Sequence, residues 1–250
     1  MALKRKHWLR MSLLVGCLAW GQARAAFPLV VDDADVRAPR EVEAVIAWGV
    51  QHEHLLDAHL ATWSLTMGLC PRVEASIDGG YGWRDSHVPD DGALDLNTGL
   101  KTKLLGHADE PVSVTLAGTV KHPTASARRG LGSGERNFTV NAAITWTAGT
   151  LSLDGNAGYG WIGRPAGATG SLDQAHLGAA LRWQRTTRCL LFAECLLTAG
   201  AAQQWRNKQV LLRAGGQYAF TPQWLLGVAV GRRWHGLPAT TFEIGLTAVR

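Results

Sequence analysis

Residues Leu151 to Gly163 read Leu-Ser-Leu-Asp-Gly-Asn-Ala-Gly-Tyr-Gly-Trp-Ile-Gly. Apolar or aromatic side chains hold the odd positions Leu151, Leu153, Ala157, Tyr159 and Trp161, while Ser152, Asp154 and Asn156 are polar. A period of two sends alternate side chains to opposite faces of a β-strand. The pattern recurs about a dozen times and usually ends in an aromatic of the apolar phase. A greasy face turned to lipid and a polar face turned to a lumen is how a transmembrane β-barrel is patterned.

The first residues do not share this pattern. Lys4, Arg5, Lys6 and Arg10 precede the apolar stretch Met11–Trp20, and Ala23-Arg24-Ala25 offers a small-x-small cleavage site. Together they predict a secretory signal peptide over 1–25. The stretch is shorter than the roughly 20 apolar residues of a membrane-spanning helix. The predicted signal holds five basic residues and no acidic one, which leaves 20 basic against 20 acidic residues in the rest of the chain. The basic balance of the whole is therefore no footprint for nucleic acid.

Cys70, Cys189 and Cys195 remain after such cleavage. A secreted compartment permits disulfides, and Cys70 and Cys189 both fall beside short turns. Their spacing fits no zinc motif, and unpaired structural cysteines are the reading favoured here.

Phe27 to Pro39 carries two prolines and three aspartates with little periodicity, and reads as an extended lead over 26–40, tucked into the barrel mouth. Residues 41–250 form the barrel proper. The alternation predicts strands near 41–54, 56–67, 73–85, 94–106, 112–124, 136–148, 151–164, 174–186, 189–203, 209–221, 224–235 and 241–249. Short connections alternate with longer ones rich in Gly, Pro or Asp, as outer-membrane barrels alternate periplasmic turns with outer loops. The connection at His54–Leu55 is too short for an outer loop and is the weakest point of the count. Tyr81, Trp83, Tyr159, Trp161 and Trp234 fall at one set of strand ends, and Trp146, Trp183, Tyr218, Phe220 and Trp224 at the other. Two aromatic girdles follow, because amphipathic rings prefer the headgroup boundary.

The polar phase holds Glu74, Asp78, Arg84, Asp95, Lys101, Lys103, Asp154, Arg182, Glu194, Arg213 and Glu243, the candidate lumen-lining residues. Glu43, Lys121, Arg164 and Arg233 share that phase. Charges of both signs are tolerable there only in a wet lumen or in mutual pairs.

Three stretches resemble a known family: Pro28–Ala34, Leu100-Lys101-Thr102-Lys103-Leu104-Leu105, and Lys121-His122-Pro123-Thr124 followed by Gly130–Glu135. Their order, with the strand rhythm, is similar to the outer-membrane family named for a meta-pathway of phenol degradation. The resemblance implies a barrel in the outer membrane of a Gram-negative bacterium that passes aromatic or other hydrophobic molecules. The chain departs from it in ending Thr247-Ala248-Val249-Arg250 rather than on an aromatic residue, although Phe242, Ile244 and Leu246 keep the outward phase.

Other chemistry is thin. His52, Glu53, His54, Asp57 and His59 form the densest group of metal-ligand types, but the spacing is not the helical His-Glu-x-x-His motif. Interfacial histidines at a strand tip are the simpler reading. Arg128-Arg129-Gly130-Leu131-Gly132-Ser133-Gly134 lacks the Lys-Ser/Thr of a phosphate-binding loop and reads as an outer loop whose arginines meet lipopolysaccharide phosphates. His122, His176, Ser113 and Ser152 show no hydrolase signature. No catalytic residue, cofactor or metal is expected. The sequence reading is a passive channel for small solutes, aromatic or hydrophobic ones included, with outer-membrane lipid, lipopolysaccharide and the barrel assembly machinery as partners. The alternative is a structural or adhesive barrel without transport, and behind it a lipid-modifying enzyme.

Overall fold

A computed structural model describes residues 27–53, 56–84, 91–106, 110–129, 131–164, 172–200, 208–234 and 238–250. The expected signal peptide, His54 of the histidine group and Gly130 of the glycine-rich loop lie outside these residues, and so does the side chain of Arg84. No helix among the described residues is long and apolar enough to cross a membrane.

The strands are β1 (Val42–Glu53), β2 (Leu56–Cys70), β3 (Val73–Arg84), the two-residue β4 (Gly92–Ala93), β5 (Leu96–Leu105), β6 (Val112–His122) and β7 (Asn137–Ala148). They continue as β8 (Leu151–Ile162), β9 (Gln174–Thr186), β10 (Cys189–Gly200), β11 (Gln209–Ala219), β12 (Trp224–Trp234) and β13 (Ala239–Val249). Each long strand pairs antiparallel with its neighbours, and β1 pairs with β13, so the sheet closes on itself. Closure removes the unpaired edges that lipid could not hydrogen-bond. Twelve strands make the wall, while β4 only extends the ladder along the upper part of β3. On either side of the doubtful first connection Glu53 pairs with Leu56, and the register runs on to Val42 and Met67.

Alternation decides which way each side chain faces. On β7, Phe138, Val140, Ile144 and Trp146 are exposed to the outside, whereas Thr145 between them is 4 % exposed. Val228 and Val230 face outward on β12, with buried Ala229 between them. Large apolar side chains left open over the whole outer surface are unstable in water and stable against lipid. Aromatics gather at both ends of the strands. Tyr159 stacks edge-on against Trp161 at 5.0 Å near one end, and Tyr218 against Phe220 at 5.5 Å near the other. The end holding Glu41 and Arg250 carries short turns such as Gly149–Thr150, where Gly149 takes φ +62° at the first turn position. Glycine suits that position because a Cβ would be strained there.

Candidate functional site

The barrel interior holds a second piece of chain. Residues 27–40 cross the lumen from the β12–β13 wall to β2, and Val31 and Ala34 within them are 1 % and 0 % exposed. The sequence placed this lead at the mouth; it enters the barrel. Its backbone N–H groups must find partners there. The wall's own backbone groups are committed to their ladders, so inward side chains supply the acceptors. Val30 and Val31 donate to the Glu194 carboxylate at 2.9 and 2.8 Å. Asp32 N–H donates to Asn156 Oδ1 at 2.6 Å, and Asn156 Nδ2 returns a bond to the Asp32 carbonyl at 2.7 Å. Ala34 donates to Thr145 Oγ1 at 2.8 Å and Arg37 to Glu74 Oε2 at 2.7 Å.

Glycines give the lead room. At its start, Phe27 packs so closely on β12 and β13 that a Cβ on Gly227 or Gly245 would stand 2.8 or 2.7 Å from the ring. Gln217 donates to the Phe27 carbonyl. Leu29 adds to a small inward apolar cluster of Leu190, Phe192 and Ala229. At its end, a Cβ on Gly68 would lie 2.0 Å from the Ala38 carbonyl oxygen. Only glycine lets the chain cross β2 at that point and turn into β1.

Charged side chains hold the crossing. Lys101 on β5 reaches Asp32 at 2.9 Å, Asp33 at 3.6 Å and Glu74 at 3.8 Å. Arg182 on β9 meets Asp33 at 3.5 Å, and Lys103 meets Asp35 at 3.4 Å. Arg37 pairs with Glu43 at 2.6 Å.

The ten candidate lumen residues whose side chains are described thus fall into three groups. Glu74, Lys101, Lys103, Arg182 and Glu194 meet the lead. Asp154, Arg213 and Glu243 pair across the wall: Asp154 with Arg182 through bonds of 2.6 and 2.8 Å, and Arg213 with Glu194 at 3.0 Å and Glu243 at 2.7 Å. Asp78 and Asp95 face the other side of the lumen. Asp78 accepts from the Asn97 amide at 2.7 Å. Asp95 takes Lys121 at 2.6 Å and the Ala125 N–H at 2.9 Å, which fastens the β6–β7 loop over the wall. Asn156, Thr145 and Gln217, neutral residues of the same phase, hold the lead, a role that their place in the polar phase did not reveal.

A cavity of about 710 Å³ remains beside the lead, bounded by β1, β2, β3, β5 and β6. It reaches from Glu43 and Thr66, at the turn end, to Asp95 and Leu131, at the loop end. Water can fill such a space, and the carboxylate and hydroxyl side chains set among its apolar walls favour that.

The other candidates stay apart. His52 pairs with Asp57 at 2.5 Å, and His59 stacks between Trp48 and Trp83 on the outer surface. Among the described residues no three His, Cys, Asp or Glu side chains gather in metal-binding geometry. His122 meets Thr98 at 2.9 Å, and His176, which points inward, meets Asn141 at 3.2 Å. Cys70, Cys189 and Cys195 are free thiols, as the sequence reading favoured.

A closed antiparallel barrel with an apolar outer surface, aromatics at both rims and a polar interior is a protein of the Gram-negative outer membrane. The family described as "Putative MetA-pathway of phenol degradation" matches residues 41–250, and the chain belongs to it. Similar solved structures include an outer-membrane channel from Pseudomonas putida F1, 15% identical, with a TM-score of 0.71 over 89% of this chain and 100% of that one. The NanC porin is 10% identical, with a TM-score of 0.63 over 82% of this chain and 98% of the porin. The CymD monoaromatic hydrocarbon channel is 8% identical, with a TM-score of 0.52 over 86% and 89% of the two chains. A search of curated protein sequences finds no match.

Proposed function

We propose that this barrel is a passive outer-membrane channel for small solutes, and that they pass beside the lead on the β1–β6 side. The observation that carries the reading is the cavity that reaches from the turn end to the loop end of a closed wall. A structural or adhesive barrel has no need of a polar space along its length. The names of similar folds, a porin and a monoaromatic hydrocarbon channel, support a channel and extend the solute range to aromatic molecules. A route narrowed by the lead suits small molecules rather than oligomers. The reading needs no catalytic residue and no cofactor. The charged lumen residues Glu74, Asp78, Asp95, Lys101 and Lys103 would line or flank the route, while Asp154, Arg182, Glu194, Arg213 and Glu243 brace the opposite half.

The turn end, with the lead and the C-terminus, faces the periplasm in this reading. The loop end then faces outward and brings Arg128 and Arg129 to lipopolysaccharide phosphates. Assembly machinery inserts the chain once residues 1–25 are removed. Liposome swelling tests the transport claim. Liposomes carrying the purified protein should admit small amino acids and phenolic acids faster than empty liposomes do, and disaccharides less readily than either. If no solute enters above the empty-liposome rate, the structural reading replaces it.

A further inference from the structure

We infer that the docked lead does more than narrow the lumen: it gives the open passage its charge, so that the channel passes small cations, organic ammonium ions among them, in preference to anions. The inference rests on the channel reading and adds the class of solute.

The wall beside the cavity is close to balanced. Glu43, Glu74, Asp78 and Asp95 line it, and Lys101, Lys103 and Lys121 stand among them. Into this wall the lead lays Asp32, Asp33 and Asp35, and all three line the cavity. Of the two cations it brings, Arg40 is exposed and lines no part of the cavity, and Arg37 is taken up by Glu43 at 2.6 Å and Glu41 at 3.7 Å. Pairing does not cancel the added charge. Lys101 carries one positive charge and faces three carboxylates, at 2.9, 3.6 and 3.8 Å. Asp78 is held by a neutral amide. The Asp32 and Asp35 side chains keep 39% and 49% of their surface open, so water and ions in the passage can reach them.

The far half of the lumen does not offset this excess. Arg182 reaches Asp33 at 3.5 Å but is held by Asp154 through two closer bonds, and the single Arg213 stands between two carboxylates, Glu194 and Glu243. The arginines of the β6–β7 loop are exposed at the mouth and line no part of the cavity. Low-dielectric walls focus the field of such an excess along a narrow route and raise the local concentration of counter-ions. Carboxylate-lined constrictions select cations for that reason.

The test is the reversal potential of the signal-free chain in planar bilayers under a KCl gradient, with three proteins compared. The native chain should favour potassium over chloride by roughly ten-fold at low salt, and less at high salt as screening shortens the reach of the carboxylates. The double variant Asp35→Asn with Asp78→Asn should lose most of that preference at similar conductance. A chain lacking residues 27–37 should conduct more and discriminate little. In liposomes the native chain should admit 2-phenylethylammonium faster than benzoate. Conductance with chloride preferred or with no preference overturns this inference and leaves the channel standing. A preference that survives both changes overturns the lead's part in it. Absence of any conductance, with no solute entry, overturns the channel reading and this inference with it.

Discussion

At the scale of single residues, the barrel depends on a few buried charges held chiefly by one another. Asp154 and Arg182 are joined by two hydrogen bonds, their side chains 0% and 7% exposed. Removing one member of such a pair strands a charge, which costs on the order of 3–5 kcal/mol. Arg182→Met should therefore lower the urea midpoint of the folded barrel in detergent, and Arg182→Met with Asp154→Leu should recover much of the loss; equal midpoints for the single variant and the native protein would contradict the pairing. Gly68 makes a different demand. Gly68→Val would drive a side chain into the Ala38 carbonyl, 2.0 Å from where the Cβ must sit. The lead should then leave the lumen while the barrel still forms, read as faster protease cleavage near residue 35 with unchanged heat-modifiable migration. The charged members of this interior were legible in the sequence because charge in a strand's polar phase has few explanations. The lead-holding role of Asn156, Thr145 and Gln217 was not, although phase alone turned Asn156 and Thr145 inward, since a neutral polar side chain in that phase is equally at home facing water. Nor was inward Phe192, because a lone aromatic in the polar phase gains its meaning only from Leu29 packed beside it.

Elements were the most legible level. Period-two alternation and turn residues located every long strand, with ends within a few residues, because facing is fixed by register and register by lipid on one side. Trp146, Trp183 and Trp224 marked one rim and Trp161 and Trp234 the other for the same reason. The lead was the harder element. It has no period, and its fourteen or so residues acquire a conformation only from acceptors on β3, β7, β8 and β10. No local pattern in the sequence encodes partners 111 to 164 positions away. The strands in turn predict a contrast on β7. Val140 faces lipid and Asn141 the lumen, at nearly the same depth. Arginine on the lipid side near mid-membrane costs about 2–4 kcal/mol, so Val140→Arg should fold into bilayers far less well than Asn141→Arg. Thr145, also inward, is a poorer comparison, since it is buried between Asp154 and the lead. Equal folding yields for the two variants would mean that Val140 does not meet lipid.

For the whole molecule, closure, an apolar exterior and a filled half-lumen combine into one picture: a stiff wall, a strap across it, and a passage left beside the strap. Orientation is open to a direct check. With native thiols removed, Ala127→Cys should react with an impermeant maleimide on intact cells and Gln223→Cys should react only after the outer membrane is breached; the reverse pattern would turn the barrel over. Transport itself is tested most directly by single-channel recording of two proteins, the chain from residue 26 and the same chain without residues 27–37. A passage beside the lead predicts small, steady steps from the first. The second should give distinctly larger ones, since Lys101, Glu194 and Asn156 then face open water. Silence from the full chain, or steps of equal size from both, would contradict the account.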